Sequence, residues 1–160
     1  MVGDPYERLR PPPPTPIDEV CSCSGAPPLV LRTVFSPNPI GCADCSLEVP
    51  PERIGFSRQL AEDLADWRRF YECFDHLWLD SGEFEDWARA QLSDPRSPAN
   101  VRGLALRKQL DEVRRCYYWW FEDTGSDAFE PLSACPVCNS RLTERGSRLV
   151  CEPCGVMVAH

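Results

Sequence analysis

Ten cysteines in a chain of 160 residues limit its fold more than any other feature, because eight of them form two groups of four. The C-terminal group is Cys135-Pro-Val-Cys138 followed, after twelve intervening residues, by Cys151-Glu-Pro-Cys154. Two residues between cysteines let a tight turn present both sulfurs to one ion, at about 2.3 Å from zinc. The spacer has the pattern of a β-hairpin turning at Gly146, which would return the second pair to the first. The spacing predicts a four-cysteine zinc ribbon, with iron or a redox dithiol as alternatives.

The N-terminal group has a less regular spacing. It consists of Cys21-Ser-Cys23 and, eighteen residues later, Cys42-Ala-Asp-Cys45. A strand pattern and a turn fill the interval, which is long enough to fold back and close a second site. The alternative is that Cys21 and Cys23 lie in a mobile tail and bind nothing. We expect the closed site, and hence two structural Zn²⁺ ions per chain.

The remaining cysteines and the chain ends indicate the compartment. Cys73 and Cys116 are predicted to pack in the core, where free cysteine is common. The N-terminal sequence lacks the apolar stretch of a secretory signal, and no apolar run approaches the roughly 18–20 residues that cross a bilayer. A reducing, cytoplasmic setting is therefore expected, where cysteine clusters hold metal rather than form disulfides.

Apolar residues repeat every three or four positions after Ser57, a plausible N-cap, and predict a first helix. A second helix should begin after Ser81, and a third at Ser97-Pro98, where a cap precedes proline. The residues expected on buried helix faces are Leu60, Leu64, Trp67, Tyr71, Phe74 and Trp78 in the first helix and Phe84, Trp87, Ala88 and Leu92 in the second.

The chain is therefore predicted to be an α+β protein in which small metal-bound β units at both ends bracket about three helices. Strands at 29–35 and 116–121 are expected to join one sheet, so that 21–160 forms one compact domain. The predicted segments are a proline-rich N-terminal tail outside the core at 1–20, a zinc unit with one strand at 21–55, a helical segment at 56–115, an aromatic strand and acidic loop at 116–134, and the zinc ribbon at 135–160.

Three stretches of this chain resemble a bacterial family, the domain-of-unknown-function 2310 proteins. They are Phe35-Ser-Pro-Asn-Pro-Ile-Gly-Cys-Ala-Asp-Cys45, the aromatic run Tyr117 to Phe121, and the two C-terminal CxxC pairs. The resemblance covers roughly residues 30–155. It implies a zinc ribbon at the C-terminal cysteines and suggests that Cys42 and Cys45 are ligands too. The family is described as nucleic-acid-binding on the strength of its ribbon, so the resemblance implies no reaction.

An enzyme is the function class with the least support in the sequence. The two histidines are His76, inside a predicted helix, and His160, at the end. Asp75 and Asp80 flank His76, but nothing in the sequence brings a nucleophile to it. Four thiolates fill the coordination sphere of zinc and leave no position for an activated water. We therefore expect no enzyme, with dithiol redox chemistry at a CxxC pair as the exception.

Nucleic-acid binding depends on where the charge lies. A net charge of −8 excludes a uniformly basic coat for phosphates. Residues 101–115 nevertheless carry five basic against two acidic side chains, and adjacent aromatic residues could stack on bases. The candidate contacts with nucleic acid or another partner are Arg102, Arg107, Lys108, Arg114, Arg115, Trp119, Trp120, Arg141, Arg145 and Arg148.

Protein recognition accounts for more of the sequence. Zinc ribbons are rigid platforms, and the acidic helices could address a partner with a basic surface. Trp119 or Trp120 is the expected interface anchor, because the other three tryptophans, at 67, 78 and 87, fall on predicted core stripes. The favoured hypothesis is a non-catalytic adaptor or an inhibitor of the immunity-protein type. A zinc-ribbon nucleic-acid-binding protein is the alternative.

Overall fold

The computed structural model describes residues 3–33 and 36–159 of the chain. Its helices are α1 (Arg58–Asp80), α2 (Glu85–Ser93) and α3 (Pro98–Val113). The hydroxyls of Ser57 and Ser97 accept backbone N–H groups of the first turns of α1 and α3, as N-caps do. The strands are β1 (Leu29–Leu31), β2 (Ile40–Cys42), β3 (Cys116–Trp119), β4 (Thr143–Arg145), β5 (Arg148–Cys151) and β6 (Val156–Ala159).

All six strands belong to one sheet with the order β2-β1-β3-β6-β5-β4. The central strand β3 pairs in parallel with β1 on one side and with β6 on the other, and the remaining pairs are antiparallel. The two cysteine units were predicted to bracket the helices, but β3 joins them edge to edge, so both lie in one sheet. The strands expected to join do so, although the predicted residues Val34 and Phe35 lie outside the described part of the chain.

One face of the sheet packs against the helices. Alternate residues of β1 and β3 point into this core, among them Leu29, Leu31 and Tyr118. Trp120, beyond the end of β3, is only 2% exposed, so it is not the surface anchor predicted from the sequence. The alternation of the strand that buries Tyr118 continues to Trp120 and removes both from solvent.

Helix α3 approaches β3 closely because residue 103 is glycine. A β-carbon there would overlap the ring of Tyr118. The Tyr118 hydroxyl donates to the buried side chain of Asn100, whose amide in turn donates to the carbonyls of Leu92 and Asp94 at the end of α2. This buried network joins α2, α3 and β3.

The exposed faces of the helices differ from the predicted ones. In α2, Ala88 and Leu92 are buried, but Phe84 and Trp87 are 52% and 51% exposed. Cys73 is also exposed, because it lies one position away from the buried stripe of α1. Among the described residues, no helix combines the length and the apolar character needed to cross a membrane.

The proline-rich head was predicted to lie outside the core, but part of it is buried. Leu9 is fully buried in the main core, and the hydroxyl of Tyr6 donates to the carbonyl of Phe56 at 2.8 Å. Arg8 pairs with Glu62 and Asp66 on α1. These contacts attach the head to the side of α1 despite its proline content.

Candidate metal centres

Each group of four cysteines brings its sulfur atoms together. The groups are the N-terminal cysteine site, Cys21, Cys23, Cys42 and Cys45, and the C-terminal cysteine site, Cys135, Cys138, Cys151 and Cys154. Within each site all four sulfurs lie within 4.8 Å of one another. Thiolates arranged tetrahedrally at about 2.3 Å from zinc are separated by about 3.8 Å. The Cys138 and Cys151 sulfurs are 3.6 Å apart, and each site can hold one metal ion.

The three CxxC pairs share one backbone turn. The residue after each pair donates its N–H to the carbonyl of the first cysteine, at 2.9 Å for Ser46 and 2.8 Å for Asn139 and Gly155. All three residues have a positive φ, between 60° and 67°. Asparagine and glycine adopt this conformation more readily than most residues. The Val137 N–H also points at the Cys135 sulfur, at 3.4 Å.

The thiols of the C-terminal cysteine site respond differently to their surroundings. The hydroxyl of Ser140 lowers the pKa of Cys138 to about 6, which makes it a thiolate at neutral pH. Burial raises the pKa of Cys151 and Cys154, because the charged form loses hydration. A cation at the centre of the site offsets the cost of holding all four sulfurs as thiolates.

The Cys21-Ser-Cys23 segment lacks the CxxC turn and is held by an arginine instead. The guanidinium of Arg53 donates to the carbonyl of Cys21 and, at 3.1 Å, to that of Cys23. Arg114 in turn donates to the Arg53 carbonyl at 2.6 Å. The structure thus places Cys21 and Cys23 beside Cys42, and sequence reasoning missed Arg53 because it is 30 residues or more from the cysteines it holds.

Helix α3 contacts the C-terminal cysteine site through Arg107. This side chain was a candidate for binding nucleic acid, but it is 4% exposed. Its guanidinium lies against Gly155, where an added β-carbon would come within 2.7 Å of the guanidinium carbon. Asp111, one turn further along α3, is 3.6 Å away and provides its countercharge.

The sheet face opposite the helices, the outer face, is covered by arginines. The guanidinium groups of Arg115 and Arg145 lie over the ring of Tyr117, and that of Arg148 lies 4.8 Å from the ring centre of Trp119. Arg145 also pairs with Asp44 at 2.9 Å. Trp119 is therefore half-buried beneath an arginine.

The other candidate contact residues divide into paired and exposed ones. Arg115 pairs with Glu152 at 2.6 Å, and Arg114 is occupied by the contact with Arg53. The remaining three, Arg102, Lys108 and Arg141, are exposed. Arg102 lies over the ring of Phe70.

No protein-family model, curated protein or solved structure matches the chain significantly. The resemblance to the domain-of-unknown-function 2310 family therefore stays a prediction.

Proposed function

We propose that this protein is a non-catalytic zinc-binding module that binds a protein with a basic surface, as an adaptor or inhibitor. Its two cysteine sites would each hold one structural zinc ion. The observation that carries the proposal is an exposed aromatic pair, Phe84 and Trp87, within the most acidic part of the chain.

Zinc is the ion that suits these sites best. Four thiolates in a closed site are typical of structural zinc, whereas magnesium and calcium prefer oxygen ligands. A filled Cys₄ site has no open position for substrate, which supports a structural role. Both sites lie in one sheet, so the ions would stabilise the platform that carries the helices.

The acidic segment, residues 72–87, covers the second half of α1 and the start of α2. It contains six acidic side chains and no lysine or arginine, a formal charge of −6. Leu79, Phe84 and Trp87 are each more than half exposed within it. Tryptophan is enriched at the energetic centres of interfaces, and a rim of carboxylates favours a basic partner.

The contacts of the basic residues weigh against nucleic-acid binding. Five of the eight basic candidates, Arg107, Arg114, Arg115, Arg145 and Arg148, make contacts within the protein. Each internal contact would have to be given up before the side chain could release a counterion from phosphate.

The test immobilises zinc-loaded wild-type protein and two matched variants on separate columns and passes an extract of the native cell over each. Trp87→Ala removes a half-exposed side chain from the acidic segment, and Val101→Ala, which removes a similarly exposed one from α3, is the control. The proposal is supported if wild type and Val101→Ala retain the same protein with a basic surface and Trp87→Ala retains at least tenfold less of it.

Two results would contradict the proposal. One is equal retention by wild type and Trp87→Ala. The other is a salt-sensitive electrophoretic shift of nucleic acid that charge reversal at Arg102 and Lys108 abolishes. These two residues are suitable because both are exposed and neither makes a hydrogen bond or ion pair among the described residues. Charge reversal removes only the contact of Arg102 with the Phe70 ring.

A further inference from the structure

A cavity of about 290 Å³ lies between the second half of α1 and the end of β3. Aromatic rings form much of its wall. Trp78 and Phe121 meet edge to face with their ring centres 4.8 Å apart, and Tyr71 and Trp119 complete the aromatic lining. The volume is near the lower end of the range for ligand sites, which suits a group the size of one side chain.

Three carboxylates also line this cavity, and two of them have partners. Glu72 pairs with Arg68, and Glu122 accepts the backbone N–H of Ala159 at 3.1 Å. Asp75 accepts only one long hydrogen bond among the described residues, from Thr33 at 3.4 Å. Burial raises the pKa of Asp75 to about 6, because the carboxylate loses hydration and gains only this weak hydrogen bond in return.

We propose that this aromatic pocket binds an organic cation, an alkylammonium or guanidinium group, with Asp75 as its countercharge and the rings of Trp78 and Phe121 as its walls. Ring faces attract cations, and the attraction grows when the cation leaves water. No lysine or arginine lines the cavity among the described residues. A cation would therefore meet the underused carboxylate of Asp75. An anion would meet three carboxylates, with His76 the one lining side chain among the described residues that can carry a positive charge.

The pocket opens beside the exposed residue Leu79 in the acidic segment. A lysine or arginine of the proposed basic partner could supply the cation, and to that extent this inference rests on the proposed function. A free amine would offer the same chemistry. The two sources differ in whether a polypeptide backbone adds to the binding.

The test titrates zinc-loaded protein with N-acetyl-lysine amide and with its uncharged counterpart, N-acetyl-norleucine amide. Binding is followed by the tryptophan indole N–H resonances and by calorimetry. We expect the lysine probe to bind and the norleucine probe to bind at least tenfold more weakly. Asp75→Asn should weaken lysine binding about tenfold, which corresponds to about 1.4 kcal/mol. Asp80→Asn, which changes an exposed carboxylate outside the cavity on the same helix, should have no effect.

Equal affinities for the lysine and norleucine probes, or equal effects of Asp75→Asn and Asp80→Asn on lysine binding, would overturn the proposal. Absence of lysine binding to folded, zinc-loaded wild type would also overturn it, whatever Trp87→Ala does to partner capture. If the lysine amide binds more tightly than butylammonium, the source is a polypeptide. Equal binding of the two points to a free amine at the same site.

Discussion

Gly155→Ala tests whether the C-terminal cysteine site and helix α3 are locked together. Gly155 follows the last cysteine of the site and has a φ of 63°. An alanine β-carbon there would overlap the guanidinium of Arg107, which belongs to α3. The substitution therefore introduces two separate costs, one in the backbone and one in the packing.

The two costs can be estimated separately. A left-handed backbone costs a residue with a β-carbon about 1–2 kcal/mol relative to glycine. Overlap in a packed region adds about 1–3 kcal/mol, so Gly155→Ala should lower the free energy of unfolding by about 2–5 kcal/mol. A guanidinium on the surface would move aside at little cost. Arg107 is only 4% exposed and faces Asp111, so it cannot move without losing its countercharge and its packing.

Gly146→Ala is the matched control, because Gly146 has a φ of 59° and an added β-carbon there meets nothing within 4 Å. It carries the backbone cost alone, about 1–2 kcal/mol. Both variants are unfolded in urea at a fixed free zinc concentration, since zinc that binds only the folded state would otherwise change the apparent stability. The difference between the variants measures the overlap.

Equal losses of stability in Gly155→Ala and Gly146→Ala would refute the reasoning, because they would show that Arg107 moves freely. A double variant provides a second check. Adding Gly155→Ala to a protein that already carries Arg107→Ala should cost only the backbone part. A full 2–5 kcal/mol loss in that background would mean that the overlap is not with Arg107.

Three further predictions concern the metal sites and the pocket. Elemental analysis should give two zinc ions per wild-type chain and one per Cys138→Ser chain, and a single ion in wild type would contradict the N-terminal site. Arg53→Met, which frees the Cys21 and Cys23 carbonyls, should weaken zinc binding at the N-terminal cysteine site about tenfold in chelator competition and leave the other site unchanged. The pKa of Asp75 is raised from 3.8 to about 6 by burial, so its ionisation should destabilise the folded protein as the pH rises through that window. Relative to wild type, Asp75→Asn should therefore gain stability between pH 4 and pH 6 in urea unfolding. If the stability of Asp75→Asn relative to wild type falls instead as the pH rises from 4 to 6, the ionised carboxylate stabilises the fold and the prediction is wrong.

The cysteine sites were largely predictable from the sequence, because their chemistry is local. The two-residue spacing determines the backbone turn of each CxxC pair, and the hairpin at Gly146 follows from the pattern between the pairs. The Cys21-Ser-Cys23 segment was less certain, since its position depends on Arg53. That contact joins residues 30 or more apart in sequence, and periodicity cannot report it.

Trp87 was predicted to be buried and is exposed, whereas Trp120 was a predicted surface anchor and is buried. Both differences arise from contacts between elements, which the sequence does not show. A helical stripe shows which residues share a face, but it does not show whether another element covers that face. In α2 the core reaches only Ala88 and Leu92, and Trp87 extends beyond it over the ring of Phe74, with half its surface in solvent. Conversely, the strand alternation that buries Tyr118 also buries Trp120, two residues further on.

Local charge was a poor guide to the interaction surface, because charges far apart in sequence meet in the fold. Residues 101–115 carry a formal excess of three positive charges, yet Arg107 faces Asp111 and Arg115 pairs with Glu152. Arg145 pairs with Asp44, a residue 101 positions away. The acidic segment at 72–87 has no lysine or arginine of its own, and Asp75 within it makes no ion pair among the described residues. Asp75, Asp80, Glu83 and Glu85 of the acidic segment make no ion pair among the described residues, whereas Glu72 and Asp86 pair with Arg68 and Arg89. The negative charge left in this segment surrounds the only two aromatic side chains of the described residues that are more than half exposed.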